Sequence, residues 1–102
     1  METDSIGKLT IKADIFKALG HPTRFAIMEM LQAEECAVSI MVDRFGCSMA
    51  TLSKHLAVLK SSGLVSNRKQ GSNVYFRTAC SNISRLVEQA ASLTPLSGQD
   101  ID

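Results

Sequence analysis

The sequence predicts a mainly helical α+β protein, with about five helices and one small β-hairpin, from three observations. Apolar residues recur at helical spacing in successive stretches separated by Gly or Pro. One late segment instead reads as two extended runs around a Gly-containing tip. Between Arg44 and Arg85 there is no Asp and no Glu, while Arg44, Lys54, Lys60, Arg68, Lys69, Arg77 and Arg85 supply seven fixed positive charges beside His55.

The first helix is expected from about Leu9 to Leu19, where Ile11, Ile15 and Leu19 recur at i, i+4 and i+8 and Gly20 supplies a stop. His21-Pro22-Thr23-Arg24 opens the second, because the missing N–H of Pro22 costs nothing in a first turn. Phe25, Ile27, Met28 and Leu31 make that helix central, and Glu34-Glu35 end it. Val38 to Phe45 forms a short third helix with Ile40, Met41 and Phe45 turned inward, broken by Gly46. Ser48 is a good N-cap for a fourth helix, Met49 to Ser62, pinned by Leu52, Leu56 and Leu59. Leu64 to Lys69 and Asn73 to Thr78 read as strands around the tip Gln70-Gly71-Ser72. Asn82 to Leu93 is the last helix, with Ile83, Leu86, Val87 and Ala90 on one face and Pro95 as its stop.

A chain of 102 residues with 45% apolar residues suits one domain over 1–102, with 1–8 and 95–102 as frayed termini. No run of about 18 apolar residues is present, so no transmembrane helix and no membrane partner are expected. The polar, acidic N-terminus lacks the basic end and apolar run of a signal peptide, which points to a cytosolic protein. Cys36, Cys47 and Cys80 are too few and too irregular for a disulfide framework or a zinc pair. No carboxylate pair lies in the basic stretch, and no nucleophile–base or glycine-rich phosphate motif appears, so an enzyme is not expected.

Net charge is only +1, because all ten acids lie outside the basic stretch. A surface polarised in this way attracts polyanions, and its helix–turn–helix and hairpin order suggests double-stranded DNA. The leucine seam leaves Ser48, Ala50, Thr51, Ser53, Lys54 and His55 as candidate contacts on the fourth helix, small or polar enough to approach base edges. For His55, a phosphate contact and a buried hydrogen bond are equally open. Lys54 and Lys60 reach flanking phosphates, and Arg68, Lys69 and Asn73 let the hairpin lie along the backbone or enter a minor groove.

Phe16 to Arg24, Leu52-Ser53-Lys54-His55-Leu56-Ala57-Val58-Leu59-Lys60 with Ser62-Gly63-Leu64-Val65, and Arg68-Lys69-Gln70-Gly71 with Val74-Tyr75-Phe76 carry a family resemblance. Over roughly Ile15 to Thr78 the chain resembles the ArsR family of winged helix-turn-helix repressors. That resemblance implies a homodimer joined by the first and last helices, bound to a two-fold operator and released by an inducer. The exposed apolar residues expected on those two helices point the same way. Met49-Ala50 replaces the polar residue and proline that usually follow the recognition-helix cap.

The resemblance also bears on sensing. Ala37 and Ser39 occupy the ligand positions of the family's Cys-Val-Cys metal motif, and the last helix offers Glu88 but neither His nor Asp. No metal or other cofactor is therefore expected. The three thiols, Cys36, Cys47 and Cys80, leave three readings: ordinary half-buried residues, sites of oxidation or persulfidation, or a rearranged arsenite or antimonite site. The competing function is a winged-helix protein–protein interaction module with weak DNA binding.

Overall fold

The computed structural model describes residues 3–93. Its elements run α1 (Thr3–Leu19), α2 (Pro22–Ala33), β1 (Cys36–Ala37), α3 (Val38–Phe45), α4 (Met49–Ser61), β2 (Val65–Gln70), β3 (Asn73–Thr78) and α5 (Ser81–Ala91). This is the winged helix-turn-helix architecture. The expected frayed tail at 95–102 and the Pro95 stop lie outside the described residues.

The core is a continuous apolar cluster. Ile27, Met28 and Leu31 of α2 meet Leu52, Leu56 and Leu59 of α4, with Met41, Leu64, Phe76 and Val87 closing around them. Every buried side chain among the described residues is apolar. Among the described residues three glycines have left-handed backbone, and two of them shape the turns beside α4 and in the hairpin. Gly46 (φ 64°) ends α3 by returning its N–H to the Val42 carbonyl at 3.0 Å, which sets the turn into α4. Gly71 (φ 63°) lies in the two-residue turn between the paired residues Gln70 and Asn73.

The hairpin is part of a larger sheet than expected. β1 pairs with β3 through Cys36 opposite Phe76 and Ala37 opposite Tyr75, giving the antiparallel order β1-β3-β2. Two residues are too few to show a period-two pattern, so the sequence carried no sign of this third strand.

Other expectations need correction. α1 begins at Thr3, well before Leu9, within the stretch expected to fray. Ile6, Leu9 and Ile11 on that helix are 54%, 51% and 63% exposed, so core contact does not set where it starts. Ile40 was expected inside and is 49% exposed. The inward arc of α3 is Val38, Met41, Val42 and Phe45, at i, i+3, i+4 and i+7, and Ile40 falls outside it. The α5 face is less free than expected, since Val87 is buried and Ile83 and Leu86 pack against the core. Exposed apolar surface therefore concentrates on α1, including Phe16.

Candidate nucleic-acid interface

The α3–turn–α4 unit places α4 with Leu52, Leu56 and Leu59 inward, so the opposite side is fixed outward. Ala50, Ser53, Lys54 and Ala57 share one exposed stripe at i, i+3, i+4 and i+7, with Thr51 beside it. Ser48 is committed locally. Its hydroxyl accepts the Thr51 N–H at 3.1 Å and donates to Thr51 Oγ1 at 3.0 Å. That bond satisfies an otherwise orphaned helix N–H, and the side chain's first role is to cap α4. Thr51 keeps its own hydroxyl proton for a partner.

His55 faces inward to a polar corner. Its Nδ1 lies 3.5 Å from Arg24 Nη1, and its ring centroid is 4.4 Å from that of His21. An arginine only donates, so the contact is a hydrogen bond in the tautomer that leaves a lone pair on Nδ1. Burial, then His21 and Arg24, hold the His55 pKa below the ordinary histidine value. This part-buried contact is the geometry of the hydrogen-bond reading of His55. Arg24 also ties the corner together, donating through Nε to the Ala18 carbonyl at 2.6 Å and through Nη2 to that of Lys17 at 3.4 Å. His21 caps α2 by accepting the Thr23 N–H at 3.1 Å.

The wing divides its polar residues. Lys69 and Asn73 are exposed at the hairpin end. Arg68 is paired: its guanidinium donates to Glu35 Oε2 at 2.8 Å and Oε1 at 2.7 Å, and also to Gln70 Oε1 at 2.8 Å. The same group lies 4.6 Å from the centroid of the Tyr75 ring. The Arg68 hydrogen bond holds the Glu35 carboxyl below the usual range. An acid from the α2–β1 loop thus neutralises one charge of a stretch that contains no acid of its own. Lys54 and Lys60 of α4 are exposed.

The three thiols lie on separate elements: Cys36 on β1, Cys47 in the α3–α4 turn and Cys80 at the N-cap of α5. Cys36 and Cys47 are half-buried and Cys80 is exposed. Burial pushes the Cys36 thiol up, Arg44 partly opposes this, and Glu34 adds to it. Among the described residues, no three His, Cys, Asp or Glu side chains gather as a metal cluster.

Sequence reasoning missed Glu35, Arg24 and Tyr75 as parts of this surface. Arg24 lies in the His21-Pro22-Thr23-Arg24 segment, but nothing local ties it to His55. Glu35 lies 33 residues from Arg68, beyond any helical or strand periodicity.

A recognition helix with a small, polar outer face, followed by a basic wing, defines a DNA-binding winged helix-turn-helix protein. Residues 19–68 match a family model described as a helix-turn-helix domain. The uncharacterized HTH-type transcriptional regulator Rv0081 of Mycobacterium tuberculosis is 33% identical, over 88% of this chain and 78% of that protein. A transcriptional repressor SmtB homolog of Synechocystis is 30% identical, over 88% of this chain and 68% of its own length. The solution structure of the homodimeric winged helix-turn-helix domain of Mb0332 from Mycobacterium bovis, a possible ArsR-family regulator, superposes with a TM-score of 0.84. It shares 31% identity, with 89% of this chain and 84% of that one covered. The chain belongs to the ArsR family of winged helix-turn-helix transcriptional regulators, a family of DNA-binding proteins and not of enzymes.

Proposed function

We propose that the protein is a homodimeric repressor that binds a two-fold DNA operator through α4 and the wing of each protomer and leaves it when an inducer acts. The observation that carries this reading is the division of surface: α4 turns small and polar residues outward, and α1 leaves Ile6, Leu9, Ile11 and Phe16 uncovered. A Cα radius of gyration of 15.4 Å, against about 13 Å for a compact chain of this length, fits a helix that lacks its packing partner. The homodimeric state of Mb0332 and the repressor name of the Synechocystis relative support the same reading.

Ala50 and Thr51 read bases in this proposal, with Ser53 beside them. Lys54, Lys60, Lys69 and Asn73 hold the backbone, and Arg68 joins them once Glu35 releases it. Release by thiol chemistry falls first to Cys47, which adjoins α4, and Cys80, which adjoins α5. Modification at either position would shift the balance between DNA-competent and incompetent dimers. A change of about 2.7 kcal/mol is a hundredfold in affinity. The test is selection of bound duplexes from a random pool, followed by binding with persulfide, peroxide or arsenite in wild type and single Cys→Ser variants. Enrichment of a two-fold motif supports the repressor reading, and recovery of no motif overturns it. A response unchanged in a triple Cys→Ser variant removes the thiols as the sensor.

A further inference from the structure

One cavity on the α4 side is unlike the rest of the basic surface. It has a volume of about 440 Å³ and runs between α4 and the hairpin, within the range of small-molecule sites. Met49, Leu56, Val74 and Phe76 give it apolar walls. Along α4 it reaches from Met49 to Lys60, about 16 Å at the helical rise. Such walls offer no partner to the charged phosphates of a DNA backbone. A DNA strand crossing the mouth would meet the rim and leave the floor unfilled.

The charge around the cavity is one-sided. Lys60 is the one ionisable side chain among its lining residues, and Ser39 and Asn73 add polar groups. The first turn of α3 lines it too, and Ala37 gives that helix no side-chain cap, so free N–H groups add positive potential. The nearby acids Glu29, Glu34 and Glu35 line a neighbouring cavity instead.

We propose that this groove binds a small amphipathic carboxylate, an alkyl or aryl monoanion, and that its occupancy excludes DNA. The apolar tail lies along Leu56, Val74 and Phe76, and the carboxylate pairs with Lys60. This input is non-covalent and independent of the three thiols. Its second half rests on the DNA-binding reading above, whereas ligand binding itself does not.

The first experiment omits DNA. The full chain, labelled with ¹⁵N, is titrated with decanoate and with decanol, both below their aggregation limits. Saturable shifts are expected at Ser39, Ser53, Ala57, Asn73 and Val74, with decanoate about tenfold tighter than decanol. Lys60→Gln should abolish that preference and keep the alcohol affinity. Ala57→Phe, at an exposed position on the groove, should block both ligands, with an otherwise unchanged spectrum showing that the fold survives. Absence of saturable shifts, shifts confined to the apolar side of α1, or equal affinity for acid and alcohol would overturn the site. The second experiment measures wild-type binding to a DNA duplex at low salt. The apparent Kd should rise linearly with decanoate, with the constant found by NMR. An unchanged DNA Kd at saturating decanoate overturns the exclusion. Failure to bind DNA without any ligand overturns the repressor reading and leaves the carboxylate site standing.

Discussion

Lys69 and Ala50 illustrate two kinds of residue on this surface. Lys69 is an exposed cation on β2, and a phosphate contact there carries no sequence information. Lys69→Ala should weaken binding to all duplexes alike and reduce the slope of log K against log salt by about one. Ala50 is exposed in the first turn of α4, and in the proposed complex its short side chain lets the helix approach base edges. Ala50→Leu should leave the unfolding midpoint nearly unchanged and bring operator affinity down to that for random DNA. Parallel titrations on operator and random duplexes check both. His55 makes a different kind of prediction. Its folded-state pKa is depressed by burial and by the neighbouring His21 and Arg24. As pH falls, the unfolded chain therefore takes up this proton first. Its contribution to stability is whole above about pH 6.5 and is lost as pH drops through the lower folded value. Urea unfolding at pH 8 and pH 5 should show a larger loss in wild type than in His55→Gln.

At the scale of elements, the wing is fastened to the body by more than its own strands. β3 carries β1 on one edge and β2 on the other, and Glu35 reaches across to Arg68. The pair is partly open to solvent, so its worth in stability is small. In the proposed repressor its effect is to keep one cation away from DNA. Glu35→Gln should change the unfolding midpoint little and steepen the salt dependence of DNA binding by about one charge, as Arg68 becomes available. Because the Glu35 carboxyl is held below its usual value, the contact is present above the ordinary glutamate range and is lost as pH falls through the depressed value. The second element-scale feature is the leucine seam of α4. Leu52 and Leu59 are fully buried, and truncation of Leu52 to Ala should cost about 2–5 kcal/mol, measured by denaturant unfolding.

Across the whole molecule, dimensions of 47 × 45 × 24 Å describe a flat body with an extended helix. α1 packs on the rest toward its C-terminal end, where Ala18 and Leu19 are buried, while Ile6, Leu9 and Ile11 upstream are not. A partner protomer covering that side would bury them and set the spacing between two recognition helices. Ile11→Glu should shift the protein to monomer in sedimentation at micromolar concentration. It should also reduce operator affinity far more than affinity for a single half-site. A wild-type chain that sediments as a monomer, free and with DNA, would contradict the dimer.

The amino-acid sequence alone determined the helix succession, the Gly46 and Gly71 turns, the inward leucines of α4 and the basic stretch. Each of these is local: a helix face, a turn or a charge run is written within a few residues of itself. The same holds for the small, polar outer side of α4, which follows once Leu52, Leu56 and Leu59 are assigned inward. Only the tertiary structure decided where partners meet. It paired Cys36 and Ala37 with β3, turned Ile40 outward, drew His55 to Arg24 and gave Arg68 to Glu35. Periodicity fixes which side of an element a residue occupies. Which groups face one another follows from chain closure and from packing a core to high density, and neither is written at any single position.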